Sequence, residues 1–256
     1  MSHCMSVLRR ILSVLWLPLL LLCASGRGMA ADTGAAPSAA AAQAAPLLGE
    51  AERMLSTATS TRYGHHAKID EARGRYVLDC SSFIDLLLRR RMPEALAEIP
   101  FDSGRHTRQR AGDFERFFAG LPDGGDTFWL PVRRVRDLRP GDVVAWQRLA
   151  DSRTKNSGHV VLVRAAPRPS PNLSGEWLVE VIDFTSAPHA ADTRPAGADG
   201  LGAGLIGLLA APDGSPTGFR WKGGQGRERL TAVAMARPTG RFAVRAGRPA
   251  DSAAQP

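Results

Sequence analysis

Two apolar runs late in the chain restrict the fold most: HVVLVRA from His159 and WLVEVIDF from Trp177, with a proline-, serine- and asparagine-rich stretch at 167–175 between them. Runs this short and this rich in β-branched residues are strands, and a turn-forming connector makes the second the antiparallel partner of the first. If the turn centres on Pro171, His159 lies opposite Asp183, Val161 opposite Val181 and Val163 opposite Val179. Directly opposed residues stand on one face with Cβ atoms about 4.5–5.5 Å apart. A register error of one residue would turn Asp183 to the other face.

More strands are expected around this hairpin. Val143–Trp146 follows the turn Leu138-Arg139-Pro140-Gly141-Asp142. Leu205–Ala210 and Gly218–Trp221 flank Pro212-Asp213-Gly214, and Leu230–Ala236 comes last. The 26 glycines and 18 prolines fit such a turn-rich half and exclude a mostly helical bundle. Helices belong to the first half. Leu47–Thr59 places Leu47, Leu48, Ala51, Met54 and Leu55 on one face, and a second helix covers about 107–119 with Phe114, Phe117 and Phe118. Between them, Asp79 precedes a helix with Phe83, Ile84, Leu87 and Leu88 at helical spacing and Arg89-Arg90-Arg91 in its last turn, ended by Pro93. Tyr63–Arg75 is polar and turn-like. The expected class is α+β, with N-terminal helices packed on an antiparallel sheet.

Residues 1–30 have the pattern of a secretory signal peptide. Arg9 and Arg10 precede the apolar run ILSVLWLPLLLLCA, and Gly28-Met29-Ala30 supplies a small-x-small cleavage site. The run is shorter than the ~20 residues of a bilayer span, and Leu22 before Cys23 is too large for a lipoprotein signal. A periplasmic or secreted protein with no membrane span after cleavage is expected. Residues 31–46 form an alanine-rich disordered linker, 47–240 the folded domain, and 241–256 a disordered tail. Cleavage lowers the formal charge from +8 to +5, because it removes Arg9, Arg10 and Arg27 and no acid. The basic residues are scattered arginines without interleaved aromatics, so nucleic acid is not an expected partner.

Cleavage also removes Cys4 and Cys23, leaving Cys80 as the one cysteine of the mature chain. A lone thiol in an oxidising compartment needs a reason to persist: burial, an intermolecular bridge or reactivity. Cys80 starts a helix, where the macrodipole and free N–H groups favour a thiolate and can stabilise an oxyanion. The thiolate needs a base, normally histidine. Of His65, His66, His106, His159 and His189, only His159 heads a strongly apolar strand that would hold it at the core's rim. Asp183 is the candidate to orient its ring, with His189 and Ser186 as rivals. His65 and His66 have no metal-ligand spacing around them, and no metal or cofactor is expected. Gly202-x-Gly204-x-x-Gly207 matches a dinucleotide fingerprint formally, but it lacks the βαβ context and runs into a strand.

Asp79-Cys80-Ser81-Ser82-Phe83, Arg139-Pro140-Gly141-Asp142-Val143 and Ser157-Gly158-His159-Val160, in this order, resemble the hallmark segments of NlpC-type cysteine peptidases. The resemblance covers about residues 50–190. It implies a papain-like fold and an exported cell-wall enzyme that cuts amide bonds in peptidoglycan stem peptides without a cofactor. Cys80 would be its nucleophile and His159 its base. The third polar residue of that family stands where Asp183 is here, although histidine, asparagine or glutamine is more usual. The stretch 95–136 is longer than in compact members, and residues after 190 are not covered. A monomer is expected. Two other readings fit the same residues: a non-catalytic cell-wall-binding module, and a cysteine amidase or acyltransferase acting on a lipid or small amide.

Overall fold

The computed structural model describes residues 46–148 and 157–239. The expected signal peptide (1–30), tail (241–256) and all of the expected linker (31–46) except Pro46 lie outside the described residues. No helix of the described residues is long and apolar enough to cross a membrane.

The chain is α+β. Pro46 opens helix α1 (Pro46–Thr57), where its missing N–H costs nothing. Leu47, Ala51 and Met54 form its buried face. Helix α2 (Cys80–Arg91) buries Phe83, Ile84, Leu87 and Leu88. Pro93 opens the short α3 (Pro93–Ala97) instead of only ending α2. Helix α4 (Ala111–Gly120) starts later than the expected 107, because Arg110 is extended and its N–H is capped by the Asp113 carboxylate at 2.8 Å.

The arginine run of α2 does more than answer the helix dipole. Arg90 and Arg91 each reach Glu50 of α1 at 2.7 Å, and Arg53 binds the same carboxylate. The burial of Glu50 is therefore compensated, and the two helices are clamped together.

The polar stretch expected to be turn-like at 63–75 keeps a 3-10 turn at Glu71–Arg73 but also carries the end of the first strand, all of the second and the start of the third strand of a small sheet. The sheet comprises β1 (Ser60–Tyr63), β2 (Lys68–Asp70) and β3 (Arg75–Leu78) in the order β1-β3-β2. These strands are three or four residues long; β1 and β2 bury no residue, and only β3 alternates, with Tyr76 and Leu78 inward.

The remaining strands build one nine-stranded antiparallel sheet. They are β4 (Trp129–Pro131), β5 (Val143–Gln147), β6 (Gly158–Val163), β7 (Arg168–Pro169), β8 (Glu176–Thr185), β9 (Gly200–Ala210), β10 (Pro216–Lys222), β11 (Gln225–Leu230) and β12 (Val233–Pro238). Their order is β11-β10-β9-β8-β6-β5-β12-β4, with β7 beside β8.

Both faces of the sheet are buried. Val160, Leu162, Ile182 and Phe184 meet the helices through Phe83, Phe114 and Phe118. Val161, Val163, Val179, Val181, Ile206 and Leu208 fill the opposite side. The sheet curls enough that Trp146 of β5 and Phe219 of β10, with three strands between them in the order, stack at 4.5 Å. Asp142 of the Pro-Gly-Asp turn is buried and accepts from the Arg139 N–H and from both ends of the Arg237 fork, each at 2.8 Å. That segment has a structural task, tying β5 to β12.

The expected register of the central hairpin is corrected. Leu162 pairs with Ile182 and Val163 with Val181, so Val163 does not face Val179. Beyond Val163, β7 pairs Arg168 with Leu178, which leaves two more residues on the outgoing strand than on the returning one. Pro167 lies in that bulge, where a residue without an N–H is tolerated. The tip closes through Ser170 N–H to Glu176 O at 2.8 Å, past the expected centre at Pro171. The net shift is two residues, an even number, so Asp183 keeps its face.

Candidate active site

Cys80 sits where β3 ends and α2 begins. Asp79 is the N-cap, extended at φ −100° and ψ 177°; its carboxylate accepts from Ser82 N–H and Ser82 Oγ at 2.8 Å and from Ser81 Oγ at 3.1 Å. The Asp-Cys-Ser-Ser segment thus has a local cause: it starts a helix sharply, with the thiol on its first turn and the helix N–H groups around it. Arg108 Nη2 reaches the other Asp79 oxygen at 2.8 Å and Arg108 Nη1 reaches Ser81 Oγ at 2.8 Å, while His65 Nδ1 lies 3.2 Å from Asp79. Burial works against the Asp79 charge, but Arg108 and the Ser82 N–H hold its carboxyl below the usual range.

His159 heads β6 behind a glycine. Gly158 has φ 139°, and a Cβ there would come within 2.9 Å of the Trp146 carbonyl carbon. Only glycine lets β6 start this close to β5. The His159 ring lies between Trp146 and Trp221, at centroid distances of 5.2 and 5.0 Å. Its Nε2 is 2.6 Å from Asp183 Oδ2, and the Cys80 sulfur is near enough to act on the charge of the ring. Since Nε2 is engaged by the carboxylate, Nδ1 is the nitrogen left for the sulfur. Burial disfavours the imidazolium, yet the sulfur on one side and Asp183 on the other outweigh it and push His159 up to about 10.

Asp183 reaches His159 diagonally, not from the directly opposed position. It is fully buried and is the centre of a larger network. The same Oδ2 is 2.9 Å from His189 Nε2, and Oδ1 accepts from Arg194 Nη2 at 2.9 Å. Burial opposes its charge, but the two histidines hold its carboxyl well below the usual range. His189 is buried rather than a solvated loop residue, and its ring packs edge-on against His159. It contacts Asp183 through Nε2 and the Trp221 carbonyl through Nδ1 at 3.0 Å. Ser186, the other rival, is exposed and lies in the wall of the neighbouring cleft.

Asp192 and Arg194 were not singled out by the sequence. Asp192 caps the His189 N–H at 2.7 Å and holds Arg194 through Nε at 2.8 Å. The signal for them lies in β9. A Cβ at Gly202 would meet Arg194 Cγ at 2.7 Å, and one at Gly204 would meet His189 Cβ at 2.8 Å. The glycines that formally match a dinucleotide fingerprint therefore stand inside a strand and make room for the loop carrying His189 and Arg194.

His159, Asp183 and His189 offer three donor atoms within 4.8 Å of one another, compact enough for an ion. Both imidazoles, however, point at one carboxylate oxygen at hydrogen-bond distance, and a guanidinium occupies the other. That donor set fits a chain of N–H···O bonds better than a cation.

A cleft of about 680 Å³ opens beside Asp79, lined among others by Tyr63, His65, Arg108 and Ser186. Burial raises the Tyr63 phenol, with the charge of Cys80 adding to it. Among known proteins, no family model, no curated protein and no solved structure matches the chain.

Proposed function

We propose that the protein is an exported, monomeric cysteine hydrolase with a papain-like, NlpC-type fold that cuts amide bonds in peptidoglycan stem peptides. The observation that carries this reading is the line Cys80–His159–Asp183, which joins a thiol on the first turn of a helix to an imidazole and a buried carboxylate. Three short motifs in the order of that family support it.

In this reading Cys80 Sγ attacks the amide carbonyl carbon as the thiolate, and His159 holds the proton taken from the thiol. The C–N bond breaks as His159 gives that proton to the departing amine, leaving a thioester. Water then gives a proton to His159 and its oxygen to the acyl carbon, which releases the acid and restores the thiolate. Asp183 keeps the ring oriented and stabilises the imidazolium. The polar lining of the cleft favours a peptide over a lipid acyl chain.

The test is incubation of the purified protein with peptidoglycan fragments, with mass spectrometry of the products, beside Cys80→Ala. New amines and acids from the wild type, and none from the variant, are expected. Cleavage that persists in the variant removes Cys80 as nucleophile. Tight binding of fragments without cleavage by the wild type favours a wall-binding module.

A further inference from the structure

We propose that Arg194 is a positioning residue for cleavage: it locks the Asp183 carboxylate through Oδ1, so that Oδ2 stays aimed at His159. This rests on the cysteine-hydrolase reading and adds the residue that fixes its carboxylate.

The guanidinium is wholly engaged inside the protein. Nη2 donates to Asp183 Oδ1 and to Asp192 Oδ2, both at 2.9 Å, and Nε donates to Asp192 Oδ1 at 2.8 Å. Nη1 donates to the Gly200 carbonyl at 2.9 Å and to the carbonyl of Asp183 itself at 3.5 Å. Every N–H of the group thus has an acceptor. The fork on Asp192 answers the arginine's charge and leaves one N–H to fix Asp183. The side chain is only 3% exposed, so Arg194 acts through Asp183 and not on the substrate.

The route to Asp183 is built into the sheet. Asp183 of β8 pairs directly with Gly202 of β9, and Arg194 lies over that glycine. A Cβ at 202 would meet Arg194 Cγ at 2.7 Å and Cδ at 2.8 Å. The loop is tied to β9 on both sides of its turn, through Leu205 N–H to Ala190 O at 2.8 Å and Thr193 N–H to Ala203 O at 2.7 Å. Between these ties Ala191 takes φ 45°, the one positive value among the described non-glycine residues. Alanine adopts that conformation only at a cost. The turn returns His189 and Arg194 to one carboxylate, one on each oxygen.

The other titratable groups facing Asp183 are His159 of β6 and His189 of the same loop, both on Oδ2. Its charge also acts on Tyr63 of β1, and the Cys80 sulfur acts on His159 from α2. Arg194 is the group on Oδ1. Without it the carboxylate turns or takes up a proton, and either change weakens its bond to His159 Nε2.

The experiment compares full-length wild type with Arg194→Gln, Arg194→Lys and Gly202→Ala, each melted first so that kinetics are run on folded protein. On peptidoglycan fragments, Arg194→Gln is expected to lower kcat about tenfold, the size of one charged hydrogen bond. KM should stay nearly unchanged, because the residue is buried behind Asp183. The alkaline limb of kcat/KM should move to lower pH, since a loosened carboxylate favours the His159 imidazolium less. Arg194→Lys keeps a charge for Oδ1 but not the fork, and should recover much of the limb and part of kcat. Gly202→Ala displaces the guanidinium without removing it. It should move the limb in the same direction, and it serves if Arg194→Gln does not fold. Variants that melt lower yet keep the wild-type limb and kcat overturn the inference, as a purely structural arginine does only that. A raised KM with kcat unchanged overturns it too. Alkylation of Cys80 by iodoacetamide against pH is scored separately, since it needs the Cys80–His159 pair but no amide cleavage. If the wild type cuts no fragment, an alkylation profile that Arg194→Gln moves keeps the positioning role and removes the hydrolase. Wild-type cleavage with both profiles unmoved does the reverse.

Discussion

His189 Nε2 stands 2.9 Å from Asp183 Oδ2, the same oxygen that receives His159 at 2.6 Å. His189 thus positions the carboxylate, and its ring meets the base's ring edge-on at a centroid distance of 6.5 Å. His189→Ala removes a buried donor to a charged acceptor and opens a cavity beneath Trp221. A stability loss of about 2–4 kcal/mol in denaturant unfolding is expected. Its kcat should fall only partly, since Arg194 still holds Asp183. His189→Gln should recover much of both.

Asp183→Asn keeps the size and loses the charge. His159 is raised, so the imidazolium is present at neutral pH and is lost as pH rises through about 10. Removing the carboxylate lowers that value. The alkaline limb of the kcat/KM profile should therefore move to lower pH by about one unit or more, with reduced but measurable cleavage. Asp183→Ala, which removes the partner shared by two histidines and Arg194, should be the more damaging change. A limb that stays in place in Asp183→Asn would dissociate Asp183 from the base.

Gly204→Ala tests the passage of the loop over β9. Its methyl would meet His189 Cβ at 2.8 Å and Asp192 Oδ2 at 2.7 Å. Both belong to packed backbone-anchored groups, so the loop must lift. Overpacking of this kind costs about 1–3 kcal/mol. Cleavage should drop while Cys80 remains reactive to a small alkylating agent, which separates loss of the loop from loss of the thiol.

The α1–α2 clamp predicts the acid limit of the fold. The hydrogen bond from Arg53 acts first, with Arg91 and Arg90 behind it, to lower Glu50 to about 2 despite burial. A depressed carboxyl contributes its stability above its unfolded value, near 4.5, and loses it as pH falls toward 2. Glu50→Gln should cost about 1–3 kcal/mol at pH 7 and flatten the fall in melting temperature between pH 5 and pH 2.

Much of the fold and part of the site are legible in the amino-acid sequence. The apolar runs at 143, 159 and 177 carry strands because β-branched residues buried on both faces leave little choice. The α2 start was legible because Asp79 and the 3–4 spacing after it coincide. The register was not legible. It depends on a two-residue bulge at Pro167, and turn composition marks a loop without counting the residues a bulge takes up. The small sheet was hidden by its polarity. Arg194 and Asp192 were hidden because they join the site through a link, Arg194 to Asp183, that no local spacing announces, and because their trace, glycines at alternate positions of β9, carries another formal meaning.

Trp221 gives the site a property of a different kind. Its ring lies 5.0 Å from His159 and 4.4 Å from His189 by centroid, with its Nε1–H on the Ala187 carbonyl at 3.2 Å. Indole emission is quenched by a protonated imidazole in contact with it. The protein therefore contains its own optical reporter: light emitted by Trp221 follows the proton on His159, and a single titration of intrinsic fluorescence, with Trp221→Phe as the blank, observes the resting site without substrate or label.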